Sequence, residues 1–286
     1  MRSTVLTGFV LAGLCVPCTA TYGDDSGFPL ITPANVDPEC VQECLRENQQ
    51  ASVGYEDLER RCRDDCDVTR ALRLVQSHDP EEYAGGISIL CDSDDRRAVG
   101  PLITALRWDL EVRTGQWARI IPALGALGDS AAVPILVETL KIPDDDWLGR
   151  EMSARALGEI GDPSAIPALT ATAWRGDTRD EAVVALAAIY DSRVVPVLIS
   201  ALDPGEEPET REAAISGLNR LGSMAVPELV EALGEYSSEH PDTDRRVWIC
   251  QLLGESGDPV AMEELIAHRD DPDPAIARCA AGFPAG

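Results

Sequence analysis

From about residue 97 onward the chain keeps returning to one short phrase, a proline set in an apolar run, and that recurrence limits the fold more than any other feature. Pro101, Pro134, Pro167, Pro196, Pro227 and the equivalent Glu263 are separated by 33, 33, 29, 31 and 36 residues. The flanks recur as well: Gly128-Asp-Ser-Ala-Ala-Val-Pro134-Ile-Leu136 is matched by Gly161-Asp-Pro-Ser-Ala-Ile-Pro167-Ala-Leu169 and by Tyr190-Asp-Ser-Arg-Val-Val-Pro196-Val-Leu198. A period of this length is one supersecondary unit of two short helices. Such a unit cannot bury its own apolar faces and must stack on copies of itself.

Each copy has the same internal order. Residues 120–127, 153–160 and 214–221 carry apolar side chains at helical spacing and read as first helices. A glycine closes the helix, and the Asp or Ser after it N-caps a second helix. The proline then falls in that helix's opening turn, where a missing N–H costs little. Six such pairs and a partial seventh over 274–281 predict an all-α fold, an α-solenoid spanning residues 79–286.

A different pattern precedes the repeats. Asp37-Pro38 opens a helical segment, and Cys40-x3-Cys44 and Cys62-x3-Cys66 place two cysteines each on one helical face, one turn apart. With a turn at Val53-Gly54, two antiparallel helices over 38–78 set Cys40 opposite Cys66 and Cys44 opposite Cys62. Three connectivities exist for four cysteines, and this geometry favours the nested one. A four-cysteine zinc site is the competing reading, against which stands the absence of C-x2-C knuckles. Cys91, Cys250 and Cys279 remain, an odd number. Cys250 falls at an apolar first-helix position and reads as a buried thiol, with a bond to Cys279 in the adjacent first helix as the alternative.

Residues 1–20 have the order of a signal peptide: Arg2, an apolar run from Val5 to Val16, then Pro-Cys-Thr-Ala20. A buried N-terminal helix is the plainer alternative. Lipoprotein anchoring is not expected, because Leu14 and Pro17 stand where a small residue would precede the acylated cysteine. Residues 21–37, rich in Gly, Asp and Pro, read as a flexible linker. No later segment is apolar enough to span a bilayer. The expected location is therefore exported, periplasmic or extracellular, which suits a disulfide framework.

The best repeat copy, Arg150 through Leu169, resembles the HEAT-like repeat family in its short phycobilisome-lyase form. The 38–78 segment resembles twin CX3C helical hairpins. The first resemblance implies an α-solenoid whose second helices line a concave binding surface. Departures are Glu263 for the proline, Ser223 for the aspartate, and Trp117 where the first-helix arginine belongs.

Charge narrows the partner. With 50 Asp+Glu against 24 Lys+Arg, the chain carries −26, or −27 without Arg2, and repels nucleic acid and anionic membrane. Glu138, Glu228 and Glu231 fall on second helices, so the expected guest is a protein with a basic or amphipathic segment. Trp108 and Trp174 each end a second helix, seven residues after its proline. They are candidate ligand anchors, although closing the interface between repeats is the role expected of them. Arg150, Arg179, Arg211 and Arg246 share one register and Asp129, Asp162, Asp191 and Asp258 another, read as bridges between repeats and helix caps. His78, His240 and His268 read as solvated, and the Asp270-Asp271-Pro272-Asp273 and Asp144-Asp145-Asp146 runs as solvated loops. The His-Glu arrays of HEAT-like metal hydroxylases are absent from the sequence. The expectation is a non-catalytic binding scaffold with no metal and no cofactor. The alternative is an enzyme or chromophore-handling protein that uses the groove as its active site.

Overall fold

The structure is a computed structural model that describes residues 38–48, 55–112, 115–141, 147–174, 178–234 and 243–283. The expected signal peptide and linker, the turn at 53–54, His240 and the 144–146 acidic run lie outside those residues. Among the described residues there are fifteen α-helices and no strand. The chain divides into two compact units, residues 1–123 and 124–286.

In the first unit, α1 (Pro38–Glu47) and α2 (Tyr55–Leu74) form the hairpin. Its disulfides are nested, Cys40–Cys66 with Cα atoms 6.1 Å apart and Cys44–Cys62 with 5.6 Å. The sulfurs are bonded to one another, so the zinc alternative falls. Val41, Leu45 and Leu58 pack against the bridges and give the hairpin a core of its own. Helix α2 continues onto α3 (Pro80–Cys91), where a Cβ on Gly86 would sit 2.9 Å from Leu74 Cβ. Helix α4 (Val99–Val112) packs on α3. Arg97, in the one-turn segment before it, reaches Asp65 of α2 at 2.5 Å.

The repeats follow as α5 (Trp117–Leu127) with α6 (Val133–Thr139), α7 (Trp147–Ile160) with α8 (Ile166–Ala173), and α9 (Arg179–Ala188) with α10 (Val195–Ser200). After them come α11 (Pro208–Leu221) with α12 (Val226–Gly234), α13 (Thr243–Ser256) with α14 (Pro259–Ala267), and the unpaired α15 (Pro274–Ala281). In the second unit the first helices α7, α9, α11, α13 and α15 form one row, each packed on the next. Each second helix packs on the first helix that follows it, as α8 does on α9 and α12 on α13. This two-layer stacking in chain order is that of an α-solenoid.

The link between the two helices of a pair is the part the sequence described best. Gly128 and Gly161 turn the chain at φ 62° and 68°, a left-handed conformation that L side chains avoid. Asp129, Asp162, Asp191 and Asp258 then accept a backbone N–H two residues on, at 3.0, 2.8, 3.0 and 2.9 Å. In three of these links the cap opens a single 3₁₀ turn, and the α-helix proper starts one residue before the proline. In the last pair Pro259 is itself the first residue of α14, which explains why Glu263 can replace the usual proline.

Rows of first helices approach closely because small residues meet. A Cβ on Gly158 of α7 would lie 2.8 Å from Ala185 Cα of α9, and one on Gly217 of α11 3.0 Å from Ala187 Cα. At the last first-helix pair, three positions one turn apart on α13 are gripped. Arg246 pairs with Asp271 at 2.7 Å, Cys250 is disulfide-bonded to Cys279, and the ring of Phe283 lies over Gly254. The expectation of a buried Cys250 thiol is thus corrected: Cys250 is fully buried, but as one end of a bridge between α13 and α15, Cα to Cα 6.4 Å.

Leu157 of α7 is inaccessible to solvent. Leu157→Ala should cost about 2–5 kcal/mol in urea unfolding. Val184→Ala, at a 46% exposed position on the neighbouring helix, should stay within about 0.5 kcal/mol. Equal losses would contradict the stacked-helix core.

Candidate functional site

The shared arginine register is built into the joints of the stack. Arg179, at the start of α9, donates from Nη1 to the carbonyl of Ala173, the last residue of α8, at 2.9 Å. Its Nη2 lies 2.8 Å from Glu206, in the loop that leads to α11. Arg246 repeats the arrangement: Nε donates to the Leu233 carbonyl near the end of α12 at 3.0 Å, and Nη2 to Asp271 ahead of α15 at 2.7 Å. Arg211 donates to the Glu206 carbonyl at 2.8 Å, and Arg150 is buried at the same register. Arg179 and Arg246 therefore each tie a second helix, their own first helix and the next loop together, while satisfying carbonyls that a helix end leaves open. In the first unit, where Trp117 replaces the arginine, Arg119 of α5 instead reaches Ser88 and Asp92 of α3.

These joints lower the affinity of their acids for protons. Burial pushes Asp271 up, but hydrogen bonds from Arg246, the Asp273 backbone and His268 outweigh it and leave the carboxyl at about 2. Asp191 is likewise held at about 2 by the Arg193 guanidinium and backbone N–H. Asp271 is therefore no solvated loop residue, and the expectation for that run is corrected. Nor is His268 solvated. It is mostly buried, with Nδ1 2.7 Å from Asp271, whereas His78 is exposed.

The candidate binding residues do not form one cluster. Glu138 on α6 and Glu231 on α12 are exposed, while Glu228 is half-buried with Oε2 shut off from solvent. The tryptophans are more open than a wholly interfacial role would leave them. Trp108 is 44% exposed with Tyr83 edge-on at 6.1 Å, and Trp174 is 58% exposed, so neither ring is buried within an interface between repeats. Trp174 sits at the C-cap of α8, and the Arg179 guanidinium lies over its ring at 5.5 Å. Trp147 and Leu148, which the sequence reading passed over, are also exposed, at the first turn of α7. The available signal was their place beside an inter-repeat loop, where a first helix is not yet covered by its neighbour. Among the described residues no three His, Cys, Asp or Glu side chains are grouped to hold a metal ion, and no helix is long and apolar enough to cross a membrane.

Fold and joints define a helical-repeat protein whose periodic polar residues hold its stack together. Residues 116–186 match the sequence profile of HEAT repeats, and residues 178–204 that of the PBS lyase HEAT-like repeat. The repeats over residues 116–204 are thus HEAT-like. Two solved structures are similar at low identity. Human deoxyhypusine hydroxylase in complex with glycerol is 17% identical, with 77% of this chain and 95% of that chain covered at a TM-score of 0.32. The complex of CpcE and CpcF of phycocyanin lyase from Nostoc sp. PCC7120 is 18% identical, with 92% and 97% covered at a TM-score of 0.36. Neither likeness bears on activity. No curated protein matches at a significant level.

The acid sign follows from the lowered carboxyls. Asp271 and Asp191 have an ordinary value of 3.8 and sit at about 2 when folded, so their stabilisation is complete above pH 4 and is lost as pH falls toward 2. The melting temperature should be flat from pH 7 to 5 and drop steeply between 4 and 2. Asp271→Asn should flatten part of that drop. At pH 7 it should cost about 3–5 kcal/mol, because Arg246 loses its countercharge in a buried site. An unchanged acid profile in that variant would remove the pair from the account.

Proposed function

We propose that the protein is an exported, non-catalytic repeat scaffold that binds a protein partner bearing a basic or amphipathic segment. The observation that carries this reading is a division of labour among its charges. The periodic arginines and aspartates are engaged in joints and caps. Exposed second-helix positions such as Glu138 and Glu231 carry acid that the stack does not use. A surface of that sign in a chain of −26 attracts cationic segments and turns away polyanions.

Export is supported by the disulfides Cys40–Cys66, Cys44–Cys62 and Cys250–Cys279, since such bridges persist in oxidising compartments. The leader-like order of residues 1–20 points the same way.

With a captured partner, the association rate should fall about tenfold or more between low and physiological ionic strength. Neutralising Glu138, Glu228 and Glu231 together should flatten that dependence. A rate indifferent to salt, or to the triple neutralisation, would leave the second-helix acids without a role. Recovery of Cys40, Cys44, Cys62 and Cys66 as free thiols from the native source would contradict export.

A further inference from the structure

We infer that the contact surface for that basic segment is not confined to the second-helix face. It includes the edge of the second unit where second helices end and first helices begin, with the open rings of Trp147 and Trp174 as its anchors. The inference rests on the reading of the protein as a binder of basic protein segments and specifies where that binding occurs.

Topology brings these rings to one edge. Helix α7 runs from this edge to the far one and α8 runs back, so the first residue of α7 and the C-cap of α8 lie at the same end of the repeat. Helix α9 fixes the level. Gly158 of α7 meets Ala185 of α9, and six residues before each contact residue the chain has reached Met152 and Arg179, the latter bonded to the end of α8. Trp147 and Leu148 are in the turn just before Met152. They are 58% and 41% exposed, and Trp174, at the same end of the repeat, is 58% exposed.

Two large indoles and a leucine left open on one edge forgo the burial that packing gives such side chains, and open tryptophans are characteristic anchors of interfaces. The structure also shows the mode in which one of them works. Arg179 covers a single face of Trp174 at 5.5 Å, and Glu206 neutralises that guanidinium at 2.8 Å. The ring is already a cation platform whose attached charge is balanced, leaving the rest of it to an incoming cation.

The sign of the edge selects the occupant. Glu209 of α11 and Asp244 of α13, in the first turns of helices that begin here, are exposed, as are Glu207 ahead of α11 and Glu212 beyond its first turn. First-turn acids also suit helix dipoles, so the charge alone would define nothing. Combined with open indoles at the same end of the helix rows, it favours a segment that alternates Arg or Lys with apolar residues. Its cations face the rings and carboxylates, and its apolar side chains cover Leu148.

The test uses the full chain and synthetic probes: a 14-residue amphipathic peptide of Arg and Leu, the same peptide with Glu for Arg, and chitohexaose as a neutral ligand for aromatic platforms. The Arg-Leu peptide should bind saturably in calorimetry and shift tryptophan emission, and the other two should not. Trp147→Ala with Trp174→Ala should weaken binding at least tenfold while the melting temperature holds, and Trp→Phe at both sites should restore most of it. Native-strength binding by the double alanine variant overturns the edge. If Glu138→Gln, Glu228→Gln and Glu231→Gln together abolish that binding, the acidic second-helix reading survives without it. Preference for chitohexaose or the Glu peptide, or no binding of the Arg-Leu peptide, overturns the proposal.

Discussion

The structure depends on how a charged side chain is used inside a stack of otherwise apolar helices. A guanidinium out of water is costly unless its donors and its charge are both met. Arg246, 1% exposed, meets that demand from two directions, with a carbonyl near the end of α12 and the carboxylate of Asp271 ahead of α15. Because the two partners belong to successive repeats, the bond that makes the arginine tolerable also fixes the spacing between repeats. Arg179 does the same with Ala173 and Glu206. Apolar burial supplies the drive to stack but is indifferent to small slips. The forked donors are directional and pin the register.

Small residues complement those joints. Where Gly158 and Gly217 meet Ala185 and Ala187, first helices approach until a Cβ would collide with backbone atoms. Closeness of that kind suits residues that contribute little apolar area, so dispersion contacts between backbones make up for modest side chains. It also lets these helices pack closely in a chain with only 5% aromatic residues.

Features with a period were legible in the sequence, because one sequence phrase produces one local bond. The glycine turn, the Asp cap and the opening proline each act within a few residues, and the structure shows them at Gly161, Asp162 and Pro167. The hairpin was legible for a related reason, since i, i+4 spacing fixes which face Cys40 and Cys44 share. What escaped depends on distances that no local pattern encodes. Cys250 and Cys279 are 29 residues apart, close to one repeat, which made a bond conceivable but could not show that the two helices place their Cα atoms 6.4 Å apart. Asp271 looked like part of a solvated acidic run because its neighbours are Asp270 and Asp273, and its burial is imposed by an arginine 25 positions earlier.

How open the tryptophans are is also beyond what a repeat pattern encodes. Their place seven residues past a proline suits either an interface between repeats or a ligand anchor. The helices end at different points, however. Helix α8 stops at Ala173, which makes Trp174 a cap residue that α9 meets only through Arg179, and α7 begins at Trp147, at its own exposed end. Periodicity governs the middle of each helix, where neighbours lie on both sides, and weakens toward the edges. Side chains at the edges are therefore released from the demands of stacking. In this chain Trp147, Trp174 and exposed acids such as Glu207 and Glu209 are found there, where a repeat fold can vary without disturbing its joints.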